Sequence, residues 1–482
     1  MAKPSDDDRL EIQASADAAA PEPDRLLRRR LISGGIWAAI GRACGVAALL
    51  GIHVVLARIL EPTVFGAFIL IASVIPTASL AAMAGLNRAV LRLVSEGLAR
   101  GEAARVASGL QRTGKLAAVS IVVVAVAVVF GMAAWGERWL PISVGLPLAS
   151  LIGILVLLVA AQQLLAEALR GFHEMRLSNL LAGQNGGPLA NLVFLGMLLA
   201  PALLAAPITL EAILLLNAVA LLSVMPAAAW VMRKQIRAQL AGASDIANAT
   251  QYYAYRDLLD VGLPAMGVQV LAFLTSQCDI WIAAGAFSGN DLALFGAARR
   301  IILLLGIALL LANRAVVSSI PYLHVQGRRD ELQRMLQGAA ALVALPTVAG
   351  LLVLLLAPQS VLGLLFGDFY REASTVLVVL AVGQIVNVWT GTCGLTLSMT
   401  GHDRISLIVN LATAALLFGL GWVAATEHGP LGLAIVSSTI IAARNVVLWF
   451  LARLIVGVWT HVPFRFWQYL PQRKPRRLTT NG

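Results

Sequence analysis

The sequence predicts an all-α, polytopic membrane protein with twelve transmembrane helices in two parallel-repeat six-helix lobes around a central cavity. Three observations lead there. Apolar runs of about 20 residues, each long enough to cross roughly 30 Å of hydrocarbon, recur from Leu31 almost to the C-terminus. Hydrophobic residues make up 59% of the chain and charged residues 13%, against a charged share of about 25% in soluble domains. The basic residues fall on alternate connections between the runs.

Taken in order, residues 1–30 read as a disordered cytoplasmic tail, polar at first with Asp6, Asp7 and Asp8, then closing on Arg25, Arg28, Arg29 and Arg30. The apolar run that follows is too long for the h-region of a cleaved signal, so the first helix is expected to stay. Expected spans are 31–56, 64–87, 114–134, 142–168, 178–200 and 208–232 in an N-lobe (31–232). A basic cytoplasmic inter-lobe loop (233–260) leads to 261–287, 291–320, 338–357, 371–398, 404–425 and 430–456 in a C-lobe (261–456). Residues 457–482 form a basic cytoplasmic C-terminal tail. Pro76, Pro188, Pro226, Pro264 and Pro346 fall within spans, where they should kink helices that neighbours support.

Charge sets the orientation. The N-terminus, the even-numbered loops and the C-terminal end hold 28 of the 36 Lys and Arg residues, counting Lys115, Arg404 and Arg453 at the adjoining span ends, while the odd-numbered loops with their span ends hold only Arg58, Arg138 and Arg371. Such asymmetry places both termini in the cytoplasm. It also gives the net charge of +11 a topological origin and leaves no basic patch for nucleic acid. Cys44, Cys278 and Cys393 lie inside spans without C-x-x-C spacing and read as packing residues.

The halves echo each other. Phe65-Gly66 matches Phe295-Gly296 at an offset of 230, Gly101–Leu110 aligns with Gly327–Leu336 at 226, and Arg176 and Ser178 match Arg404 and Ser406 at 228. Six helices per half is an even number, so the repeat is parallel. Such repeats place a substrate path between the lobes and work by alternating access, which makes a transporter the default class.

Buried charges mark that path. A helix-centre arginine costs roughly 2.5–3.5 kcal/mol on insertion scales, so Arg42, Arg299, Arg300, Arg314 and Arg444 are candidates to line a substrate cavity. Arg300 and Arg314 lie about 40° apart in azimuth and about 21 Å apart along the eighth span, although Arg314 is also close enough to the helix end to snorkel. Asp279, near the outer end of the seventh span, reaches the depth of Arg299 and Arg300 and is either a fixed counter-ion or a proton or sodium site. His53 lies within roughly 20° of the face of Arg42 and is either a coupling residue or a neutral core histidine. Arg444 faces the same cavity or pairs within its own lobe. The excess of arginine over acid suits an anionic substrate, since guanidinium pairs bidentately with phosphate and carboxylate. A drug-cation antiporter calls for the opposite sign.

Signs of an enzyme fail. GLQRTGKL (Gly109–Leu116) imitates a P-loop, but Leu116 stands where Ser or Thr would hold Mg²⁺, and no strand precedes it. There is no G-x-S-x-G or H-E-x-x-H, and the outer loops are too short and neutral for a membrane polymerase or glycosyltransferase.

GIWAAIGRACG (35–45), LARILEPTVFGAF (56–68), LFGAARR (294–300), SSIPYLHVQGRRDEL (318–332) and LLFGDFYREAS (364–374) occur in that order. With them the chain resembles the bacterial oligosaccharide flippases, the polysaccharide-export branch of the multidrug/oligosaccharidyl-lipid/polysaccharide (MOP) superfamily. Phe295, where that family often has Tyr, and the acidic tail depart from the pattern. The resemblance implies carriage of an undecaprenyl-pyrophosphate-linked oligosaccharide across the bacterial cytoplasmic (inner) membrane for surface polysaccharide biosynthesis. It further implies Arg42, Asp279, Arg299 and Arg300 in a cationic cavity, no cofactor, H⁺ or Na⁺ as a coupling ion, and service to a polysaccharide polymerase machinery. A multidrug or cation antiporter of the same superfamily is the alternative.

Overall fold

A computed structural model describes residues 41, 43–183, 185–204, 207–240, 255–317 and 319–463. The N-terminal tail, Arg42, residues 241–254 of the inter-lobe loop and the tail beyond residue 463 lie outside the described residues. Within them helices joined by short connections make up the chain, and no strand forms. The first half contains α1 (Ala43–Ile59), α2 (Pro62–Ala82), α3 (Leu86–Ala99), α4 (Ala103–Trp135), α5 (Leu146–Gly171), α6 (Met175–Leu181), α7 (Gly187–Leu203) and α8 (Leu210–Leu240). The second contains α9 (Tyr255–Ala286), α10 (Gly289–Val316), α11 (Ser319–Val325), α12 (Arg329–Leu356), α13 (Pro358–Phe366), α14 (Ser374–Thr390), α15 (Cys393–Met399) and α16 (Asp403–Leu451).

Eight of the described helices are long and apolar enough to cross a membrane, and α1 and α7 are shorter apolar helices. Every expected span overlaps helix, but several boundaries change. The two last spans form one run, α16, broken at Gly429 (φ 62°, ψ −152°) just before Pro430. The stretch TEHG, expected to be a connection, is helical up to that break because only the glycine leaves helical geometry. Pro188 does not kink a helix. It sits in the first turn of α7, where a missing N–H costs nothing, and the span expected over 178–200 is interrupted by left-handed Gly186 and Gly187. Gln162 of α5 donates to the carbonyls of Leu181 and Gly186, and Gln163 to that of Gly183 at 3.0 Å. These amides satisfy backbone that lipid could not. Pro76, Pro226, Pro264 and Pro346 lie inside helices as expected.

The amphipathic α3 is an additional element that the expected spans do not include. It buries Leu86, Val90, Leu93 and Val94 and exposes Arg92, so its average hydropathy is too low for a span. Cys278 and Cys393 are buried, but Cys44 is exposed on α1, so it is not the packing residue expected.

The two halves of the chain meet along α2, which packs on α9 and α10. Thr63 donates to Asn290 at 3.3 Å at one end, Trp281 to Ser73 at 2.9 Å further along, and Asn87 to Gln269 at 2.9 Å at the other. Glycine permits the approach. A Cβ on Gly66 would lie 2.5 Å from the Gly289 carbonyl, and one on Gly85, itself at φ +72°, would lie 1.8 Å from the Gly262 carbonyl.

Candidate functional site

The buried charges of the seventh and eighth spans come together on α9 and α10. Small residues make this possible: Ala293, Ala297 and Ala298 are fully buried, and Gly296 packs directly on Ile69 of α2. Asp279, Arg299 and Arg300 are 6%, 8% and 9% exposed. Arg299 turns toward α9, donating through Nε to Asp279 Oδ2 at 2.5 Å and through Nη2 to the Ser276 carbonyl. The other carboxylate oxygen of Asp279 accepts from the Ile280 N–H at 3.0 Å. Both oxygens are therefore occupied and Arg299 is pinned.

Arg300 differs from its neighbour. Four residues after Gly296, it lies on the helix face that packs against the first half, and it has no hydrogen-bond or ion-pair partner among the described residues. Its charge is in range of Asp279 and Arg299 and, across the seam, of His53 on α1.

His53 is completely buried. Its Nδ1 lies 2.6 Å from the Leu49 carbonyl, which can only accept, so the proton sits on Nδ1, and Nε2 has no partner among the described residues. The ring meets Phe68 edge-on at 5.6 Å. It also lines a small cavity of about 40 Å³ whose polar wall is Asn185, Asn191 and Asn217, room for a water or two.

Arg444 takes no part in this cluster. It donates to Asn445 at 3.1 Å, Asn445 to Asn387 at 3.0 Å and Asn387 to Gln384 at 3.0 Å, a chain linking α16 to α14, while its own Nε is buried without a partner. Of the two settings open to it, the structure shows partners within the second half. Arg314 has its backbone in α10, with its side chain outside the described residues, as all of Arg42 is. Sequence reasoning brought Asp279, Arg299 and Arg300 together but could not separate the two arginines. It also missed Asn191 and Asn217 beside His53, for which no local signal exists.

The sequence matches no protein-family model, and no curated protein matches it. Solved structures do match. An inward-facing multidrug-resistance MATE transporter of the MOP superfamily superposes with a TM-score of 0.61 at 17% identity, covering 87% of this chain and 98% of the other. The chain has the fold of the MOP transporters. The lipid II flippase MurJ in an inward closed conformation gives 0.63 at 13% identity over 91% of this chain and 90% of the other, and an outward-facing MATE transporter gives 0.57 at 16% over 88% and 95%. These MOP-fold proteins are transporters and a flippase rather than enzymes, and this chain is a multi-pass membrane protein with their architecture.

Proposed function

We propose that this protein translocates a polyprenyl-pyrophosphate-linked oligosaccharide across the bacterial cytoplasmic membrane, with Arg300 as the pyrophosphate contact. One observation carries the reading: Arg300 is a buried guanidinium with no ion-pair partner among the described residues, turned toward the opposite half of a transporter fold, and the nearby Asp279 is taken by Arg299. A helix-centre arginine left so costs roughly 2.5–3.5 kcal/mol, and an anionic cargo removes that cost by pairing with it. MurJ, a flippase of lipid II, shares the fold.

The roles divide by geometry. Arg299 is held by Asp279 and positions the helix, while Arg300 binds. Sodium at Asp279 would have to displace Arg299 and compete with a backbone N–H, whereas the free Nε2 of His53 can accept a proton without breaking any described bond. We therefore assign the coupling ion as H⁺ and its site as His53. A proton there adds a second positive charge near Arg300, so anion and proton binding reinforce each other. The MATE neighbours make a multidrug antiporter the second reading, but a cation cargo would need a free carboxylate, and Asp279 is neutralised by Arg299.

Native mass spectrometry of the purified protein with a polyprenyl pyrophosphate and the matching polyprenol tests this. The wild type should prefer the pyrophosphate, and Arg300→Gln should lose that preference. An undiminished preference in the variant would sink the assignment.

A further inference from the structure

The end of the molecule that carries the odd-numbered connections holds a cleft that the translocation scheme above leaves unused. Two of the stretches behind the family resemblance, LARILEPTVFGAF and LLFGDFYREAS, meet there although they are some 300 residues apart in sequence. Arg58, at the end of α1, donates through Nε to the Leu365 carbonyl at 3.0 Å and through Nη2 to the Leu364 carbonyl. It thereby satisfies the open C-terminal carbonyls of α13. Phe65 packs against Phe366 at 6.4 Å and Tyr370 at 5.7 Å.

Between these stretches lies a cleft of about 540 Å³, with Arg58 and Pro62 on one wall and Gly363, Gly367, Asp368 and Tyr370 on the other. Tyr370 is 2% exposed, yet its hydroxyl has no hydrogen-bond partner among the described residues. The Nη1 of Arg58 also has no protein acceptor among the described residues. At Gly367 a Cβ would meet nothing within 4 Å, so the backbone there is open to a ligand.

We propose that this cleft is a saccharide-binding site, which on the flippase reading receives the sugar head of the cargo on the far side of the membrane. Its charges select the ligand. Arg58 and Asp368 both line the cleft, Arg58 engaged by helix carbonyls and the exposed Asp368 by Arg371 at 2.9 Å. An anion would meet the Asp368 carboxylate and a cation the Arg58 guanidinium. A neutral polyhydroxylated ring, which donates and accepts at neighbouring positions, satisfies Arg58, the Tyr370 hydroxyl and Asp368 together. Phe369 supplies apolar surface for its C–H faces. The volume falls within the roughly 300–1,000 Å³ of small-molecule sites and admits more than one sugar ring. Because the walls come from both halves of the chain, a bound saccharide also bridges them and favours the conformation in which this end is closed.

The test uses the full-length protein in lipid nanodiscs, with maltotriose, raffinose and N,N′,N″-triacetylchitotriose as neutral probes and inorganic pyrophosphate as the anionic one, followed by saturation-transfer NMR and calorimetry. At least one trisaccharide should bind, and Tyr370→Phe and Asp368→Asn should each weaken it about fivefold, the loss of one hydrogen bond, without lowering the unfolding temperature. Arg300→Gln should leave saccharide binding unchanged. The proposal is overturned if no trisaccharide binds, if both variants bind as the wild type does, or if pyrophosphate alone occupies the cleft. Failure here with pyrophosphate selectivity still dependent on Arg300 removes the cleft only; saccharide binding beside an Arg300→Gln protein of normal selectivity removes the translocation reading instead.

Discussion

Replacing Asp279 with Asn deletes one charge of a buried pair and leaves the shape of the side chain intact. The partners touch at 2.5 Å, and each side chain is 9% exposed. With the charge centres about 4 Å apart and an effective dielectric near 20, the lost attraction is about 4 kcal/mol, in line with the roughly 3–5 kcal/mol measured when one member of a buried pair is removed. Arg299 keeps its bond to the Ser276 carbonyl, so it stays in place as an uncompensated cation rather than escaping. The assay is reversible unfolding in mixed micelles for Asp279→Asn, Arg299→Gln and the double variant. Each single change should cost about 3–5 kcal/mol, and the double change clearly less than their sum, because no orphaned charge remains. Single-variant costs below about 1 kcal/mol, as for an exposed pair, would refute the view that these residues form a dry, locked pair.

Other consequences concern the seam and the tail. Gly85→Ala places a Cβ 1.8 Å from the Gly262 carbonyl and costs a further 1–2 kcal/mol or so for its left-handed backbone; disulfide formation in an Asn87→Cys, Gln269→Cys protein lacking its native cysteines should fall when Gly85→Ala is added, and an unchanged yield would mean the seam does not close there. Residues 457–463 dock on the second half through Trp459, Thr460 and His461, whose Nδ1 accepts from Trp449 Nε1 at 3.1 Å. Burial holds the His461 imidazole below its usual value. The docked tail therefore favours neutral histidine, its contribution is complete above the unperturbed value of about 6.5, and it declines as pH falls below that value. Hydrogen exchange of residues 457–463, corrected for intrinsic rates, should rise on acidification in the wild type and stay level in His461→Gln; equal responses would exclude His461 as the cause.

Much of the architecture is legible in the sequence because bilayer crossing demands long apolar runs, and the spans containing Pro76, Pro226, Pro264 and Pro346 stand out on that ground alone. Features set by a partner's backbone are not legible. The break at Gly186 and Gly187 has its glycines in plain view in the sequence, but only the positions of Gln162 and Gln163 show why it is tolerated. α3 went unseen because half of its surface is polar. At the site, depth alone brought Asp279 level with Arg299 and Arg300, yet consecutive helical residues point about 100° apart, and packing decides which of the two meets the carboxylate. The contact between Arg58 and α13 joins residues 306 and 307 positions apart and has no local signature.

The sharpest measurement is translocation of a fluorescent polyprenyl-pyrophosphate oligosaccharide in proteoliposomes carrying Arg300→Gln, with unfolding followed in parallel. The rate should drop about tenfold or more, equivalent to about 1.4 kcal/mol, while stability holds or rises because an unpaired buried cation is gone. Wild-type flux in a correctly folded Arg300→Gln protein would contradict the assignment of Arg300 as the group that carries the anion between the two halves.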